Sequence, residues 1–148
     1  DLIMDGDLMP SIFTCFKGVG VHAVMGIGAA PEGVISAAAI KLLGGSMQAI
    51  FKPKNDADAE RLRHMGVRLG EVYSAEDLAP GKNLIFSATA VTPLMTTTKA
   101  VLEGVSFFPG GAKTHSLVIT NTFMNFVPTT HVLDKKLFVE QKSEFRLF

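Results

Sequence analysis

The chain has 148 residues, 47% of them hydrophobic, the size and apolar content of one ordinary globular domain with a buried core. Its 14 acidic and 14 basic residues cancel, so the overall charge is not that of a nucleic-acid or membrane-surface binder, and any bound anion must be held locally. The only cysteine, Cys15, excludes an intrachain disulfide and a multi-cysteine metal site; a small buried apolar residue is its expected role, which suits a reducing compartment.

Leu2, Ile3 and Met4 form an apolar run that stops at Asp5-Gly6-Asp7, the pattern of a buried strand ending in a polar turn. The chain opens on this run at Asp1 without an initiating methionine, which predicts that the natural amino terminus is missing. A short helix is expected from Pro10, then a strand over Val21–Met25. That strand leads into Gly26-Ile27-Gly28-Ala29-Ala30, with Pro31 placed where a first helical residue is tolerated. A helix over 31–43 follows, its buried face expected along Ile35, Ala38, Ala39 and Leu42, and Gly44-Gly45 ends it. Val19 to Ile40 carries a single formal charge, Glu32, yet its glycines, Pro31 and that carboxylate argue against a membrane span.

A strand near Met47–Phe51 leads to Asn55, a good helix cap, with Ala59, Leu62 and Met65 on one face and Gly66 as the stop. Ser74 to Asp77 has the pattern of another cap. Leu84–Ser87 reads as a strand, and Thr92-Pro93 as the start of a helix through Val101 closed by Gly104. From Ser116 onward the texture is strand, turn and strand, an antiparallel hairpin. Lys135 and Lys136 read as an exposed turn. The alternation predicts a single α/β layered domain over 1–148 with a largely parallel or mixed sheet. In such a sheet the binding crevice lies at the carboxyl ends of the strands. Both polar turns, Asp5 to Asp7 and Gly28 to Gly33, are expected there, with Asp5, Asp7 and Glu32 pointing into one crevice.

The glycine-rich turn is neither a dinucleotide fingerprint, since Pro31 stands where the third glycine is needed, nor a P-loop, since Val34 and Ile35 replace lysine and a hydroxyl residue. What remains is a small-residue turn and a helix start whose amides and dipole favour an anion such as phosphate. Glu32, in the first helical turn, can bind a hard divalent cation through oxygen; on spacing alone the plainer reading, that it complements the helix dipole, stands ahead. Asp5 and Asp7 suit sugar hydroxyls or a metal, or form a simple turn. Among the rest, His115 reads as structural, His22, His64 and His131 lack metal-ligand spacing, and Lys52 and Lys54 read as a solvated loop.

The Asp5-Gly6-Asp7 turn, the segment Met25-Gly26-Ile27-Gly28-Ala29-Ala30-Pro31-Glu32-Gly33, the alanine-rich helix closed by Gly44-Gly45, and Thr114-His115-Ser116-Leu117-Val118 together resemble class II fructose-1,6-bisphosphatase. Cyanobacterial members of that family also act on sedoheptulose 1,7-bisphosphate. The resemblance implies the carboxyl-terminal half of a sugar/inositol phosphatase-like α/β fold, a Mn2+ or Mg2+ cofactor, and hydrolysis of a sugar 1-phosphate. By position it implies that Asp5, Gly6, Asp7 and Ala29 contact the sugar bisphosphate and that Glu32 ligates a metal. It places most metal carboxylates, and the threonine that helps position the attacking water, in an amino-terminal domain that this chain lacks, so no catalytic residue is expected here.

Two departures stand out: Ala29 replaces the second of two glycines, where a methyl crowds a phosphate or opposes a positive φ, and Ala88-Thr89-Ala90-Val91-Thr92-Pro93-Leu94 lacks a family Gly and Asp-Gly. The resemblance also implies a cytoplasmic or plastid enzyme of gluconeogenesis or a related carbon cycle, homo-oligomeric at full length, with neither nucleic acid nor membrane as partner. The alternative is a shortened, non-catalytic paralogue that binds a sugar phosphate or a partner protein.

Overall fold

The computed structural model describes residues 2, 6, 8–95 and 100–133, and these form two compact units. The first comprises Asp1–Phe86 with Ile119–Thr122, the second Ser87–Val118 with Phe123–Phe148.

The first unit is mainly helical. Helix α1, Leu8–Phe13, buries Met9, Ile12 and Phe13, the i, i+3, i+4 spacing of one helix face. Helix α2 spans Ala30–Leu42 and packs against α1 and against the short helix α4, Ala75–Leu78. Alanines dominate the second contact: Ala37, Ala75 and Ala79 form its core, ringed by Ala38, Met47, Leu78 and Leu84, so the elements approach closely without bulky side chains between them. The ends of α2 follow from its sequence. Gly44 takes φ +70, and the amides of Gly44 and Gly45 bond to the carbonyls of Lys41 and Ile40, a Schellman closure that glycine allows without strain. Gly45 must also be small, because a Cβ there would collide with Cys15 Sγ. Cys15 is accordingly half-buried.

Helix α3, Asp56–His64, begins as read: the Asn55 side chain accepts from Asp58 N at 2.8 Å, and Gly66, at φ +81, ends it. Ala59 is buried and Leu62 half-buried, but Met65 is exposed. The two-residue strands β1, Gln48–Ala49, and β2, Tyr73–Ser74, pair antiparallel, with Phe51 edge-on to Tyr73 at 5.1 Å. Ser74 then caps α4 through a reciprocal box. Asp77 N donates to Ser74 Oγ, while Ser74 N and Oγ donate to Asp77 Oδ2 at 2.8 and 2.6 Å.

The hydroxyl bond, then the amide bond, hold the Asp77 carboxyl below its ordinary value. A depressed carboxylate pKa means that the cap stabilises the fold above the ordinary aspartate range and loses this as pH falls through the folded-state value. Ser74→Ala removes the hydroxyl donor and leaves the amide. The Asp77 pKa is therefore expected to rise toward, without passing, its ordinary value in an NMR titration; an unchanged pKa would refute the assigned cause.

Lys41 joins α2 to α4. Its half-buried ammonium donates to the carbonyls of Ala79 and Gly81, both at 2.9 Å, and pairs with Glu76 at 2.6 Å, so its three protons have three acceptors.

The second unit is a β structure. Strands β6, Ser106–Phe108, and β7, Gly111–Thr120, form an antiparallel hairpin through Pro109-Gly110, with Gly110 at φ +87 supplying the left-handed step. Strand β8, Met124–Val132, pairs with β7, as does β3, Ile85–Thr89, which is divided between the units. Thr89 meets Ser116 and Ala90 N bonds His115 O, so numbers rise on β3 as they fall on β7 and the two run antiparallel. Strands β4, Leu94–Met95, and β5, Ala100–Leu102, pair antiparallel with a register irregularity.

The α/β content is as expected, and the hairpin read from Ser116 onward is present, with its first strand starting at Gly111. The strand pairs β1–β2, β4–β5 and β6–β7 are antiparallel where a largely parallel or mixed sheet was expected, and three further expectations are corrected. Strands β4 and β5 stand where a helix over Thr92–Val101 was predicted; Val91, Thr92 and Val101 are β-branched and fit a pleated surface better than a helix. Val21–Met25 is not a strand, because apolar residues alone do not make one without a hydrogen-bonded neighbour. The buried face of α2 is Ser36, Ala37, Ala39 and Ile40; of the four positions expected, Ala39 is buried, Ala38 and Leu42 are half-buried and Ile35 is exposed. Ile3 and Met4 of the first expected strand and the Lys135-Lys136 turn lie outside the described residues. Among the described residues no helix is long and apolar enough to cross a membrane.

Candidate functional site

Of the five residues singled out for substrate or metal, the described ones, Gly6, Ala29 and Glu32, belong to the first unit. Asp5 and Asp7 lie outside the described residues; Gly6 between them is exposed and takes φ +73, a conformation that favours glycine. The second turn is described throughout. Ala29 is the N-cap of α2 with φ −77 and ψ 151 and no side-chain cap bond, and Gly33 N bonds Ala29 O at 3.1 Å. Pro31 contributes no N–H, so Ala29, Ala30 and Glu32 carry the amides that the helix itself does not use.

These amides lie at the positive end of a 13-residue helix, whose dipole favours a negative group beside them. The backbone at Ala29 is extended, so alanine sits there without strain and the departure from glycine costs nothing conformationally. Its methyl is exposed at the mouth of the turn.

Glu32, in the first turn of α2, is exposed and can offer carboxylate oxygens to a divalent cation. Among the described residues no three His, Cys, Asp or Glu side chains converge to hold a metal ion. The described part of the site therefore fits one carboxylate ligand of a metal centre and not a complete one.

The remaining polar groups have ordinary explanations. His64 lies on the exposed face of α3, 3.3 Å from Glu60, and His131 Nε2 shares a hydrogen bond with Thr114 Oγ1 at 2.9 Å. His22, Lys52 and Lys54 are exposed. No sequence signal points to the pairing between His115 Nδ1 and Glu103 Oε2 at 3.3 Å, which depends on the β5–β6 corner meeting β7. That pair borders an open cleft of about 320 Å³ within the second unit, walled by Val101, Leu102, Phe126, Val127 and Pro128.

A family model described as "Bacterial fructose-1,6-bisphosphatase, glpX-encoded" matches residues 1–131. Among curated proteins, the chain is similar to D-fructose 1,6-bisphosphatase class 2/sedoheptulose 1,7-bisphosphatase of Microcystis aeruginosa, 41% identical over 154 aligned residues that cover 94% of this chain and 43% of the relative. It is also similar to the proteins of the same name from Trichodesmium erythraeum, at 43% identity with coverage of 88% and 41%, and from Synechocystis, at 42% identity with the same coverage. The chain thus spans less than half the length of these relatives. With the match running through both polar turns and on to residue 131, the chain belongs to the glpX-encoded bacterial fructose-1,6-bisphosphatase family.

Proposed function

We propose that this chain is the substrate-contacting part of a longer, metal-dependent enzyme that hydrolyses the 1-phosphate of fructose 1,6-bisphosphate to fructose 6-phosphate. The observation that carries the reading is the helix start at Ala29–Gly33, where unused amides and an exposed carboxylate share one turn inside the family match. Asp5, Gly6 and Asp7 contact the sugar bisphosphate, the Ala29 backbone donates to it, and Glu32 ligates Mn2+ or Mg2+.

A bound divalent ion neutralises phosphoryl charge in such reactions. The amides at the α2 start hold a phosphate in place, and their fixed dipoles need no reorganisation when it binds. The products are inorganic phosphate and the sugar with a free hydroxyl at C1. The full-length protein is read as a cytoplasmic homo-oligomer, with 1–148 as one domain of it.

The test is phosphate release from fructose 1,6-bisphosphate by a longer form that contains this chain. Release is expected to rise at least about ten-fold with Mn2+ and to vanish with a chelator, since a hard-cation site is lost once its ion is removed. Release that is indifferent to both would contradict the reading.

A further inference from the structure

Helix α2 is apolar on two sides. One side, Ser36, Ala37, Ala39 and Ile40, is packed within the first unit. The other side begins with Pro31, Val34 and Ile35 at i, i+3, i+4 spacing, and is open: Val34 is 40% and Ile35 46% exposed. A helix apolar on both sides belongs between two layers, and among the described residues one layer is present. The loop that feeds α2 agrees independently. Met25 and Ile27 are 94% and 84% exposed, and the run Val21–Met25, strand-like in sequence, forms no strand. Exposed large apolar residues concentrated within eleven positions mark an interaction surface.

We infer that Met25, Ile27, Pro31, Val34 and Ile35 form the surface on which the rest of the family's polypeptide packs. The occupant follows from length: each relative named above matches nearly all of this chain yet extends over more than twice its matched span. The surface flanks Glu32, so the occupant arrives beside the carboxylate proposed above as a metal ligand. This rests on the function proposed above and adds where the two parts meet.

The probe is the portion of the Synechocystis relative that this chain does not cover, fluorescently labelled and titrated with the full chain. Binding is expected, and Ile27→Lys/Ile35→Lys should weaken it at least about ten-fold, while Phe107→Lys, in the second unit, should leave it unchanged. A second readout does not require that portion to fold alone. In a chimera with this chain in place of the matched region of that relative, single cysteines at positions 25, 27 and 35 in a Cys15→Ser background should react with a maleimide about ten-fold more slowly than in the chain alone. A cysteine at 107 should react equally in both.

Equal affinity of the double variant and the unaltered chain, or equal labelling rates at the three positions, overturns the surface. Protection of those positions in the chain alone as its concentration rises would identify a second copy as the occupant and overturn it too. A chimera that protects them yet releases no phosphate supports the surface and counts against the proposed chemistry instead.

Discussion

Glu32→Ala, introduced into a full-length form carrying this chain, is expected to lower kcat/KM for fructose 1,6-bisphosphate by about a hundred-fold or more. The scale follows from metal sites generally: loss of an outer-shell partner alone costs about 10–100-fold in affinity or activity, and a direct ligand costs more. The structure makes the variant a clean probe. Glu32 is exposed in the first turn of α2 and outside the packed face of that helix, so its removal leaves the fold intact. Glu32→Asp keeps the carboxylate one methylene shorter and should recover part of the rate at raised Mn2+, whereas Glu32→Gln should not. If Glu32 only complements the helix dipole, the alanine variant loses a few tenths to about 1 kcal/mol of stability and almost no rate.

Gly104→Ala is expected to destabilise the fold. A Cβ at this position would lie 2.7 Å from Pro93 N and 2.8 Å from both Pro93 Cδ and Thr92 C. Most of these atoms are backbone, and Val105 N bonds Val91 O at 3.0 Å alongside them, so the two segments cannot part without breaking that bond. The expected cost is about 1–3 kcal/mol, the range for inserting a methyl group into a packed region. It would be read as a lower urea midpoint with an unchanged slope. Gly33→Ala is the control: nothing lies within 4 Å of the place its new methyl would take, and φ is not positive. Replacing a helical glycine there should raise stability by up to about 1 kcal/mol. Equal midpoints for Gly104→Ala and the unaltered chain would refute the close approach.

The features legible in the sequence are those fixed over a few residues. Asn55, the Ser74–Asp77 box, and the stops at Gly44 and Gly66 act within one helical turn, so type and spacing were enough to place them. The features misread depend on partners far away in sequence. Helix α2 is apolar nearly all round, so periodicity does not select the side that α1 and α4 cover; the side read as buried includes Ile35, which is open. Thr92-Pro93 is a sound helix start locally, and the pairing of Leu94 with Leu102 overrides it. For the site, the Gly28–Gly33 turn was recognisable because a helix start is local, and its alanine at 29 has proved conformationally neutral. Lys41, which holds α2 to the end of α4, left no trace in the sequence because its carbonyl acceptors are 38 and 40 residues away.

The most direct test of the central claim compares the chain alone with the same chain joined to the portion of its relatives that it lacks. A magnesium-like ion takes about six oxygens, several from water and substrate, and among the described residues a single carboxylate, Glu32, is proposed as a ligand. With fructose 1,6-bisphosphate and Mn2+, residues 1–148 alone should release no phosphate above buffer, and the joined form should turn over. Metal-dependent turnover by the isolated chain at a rate comparable to the joined form would contradict the account, because it would require a ligand set that Glu32 and its neighbours do not supply.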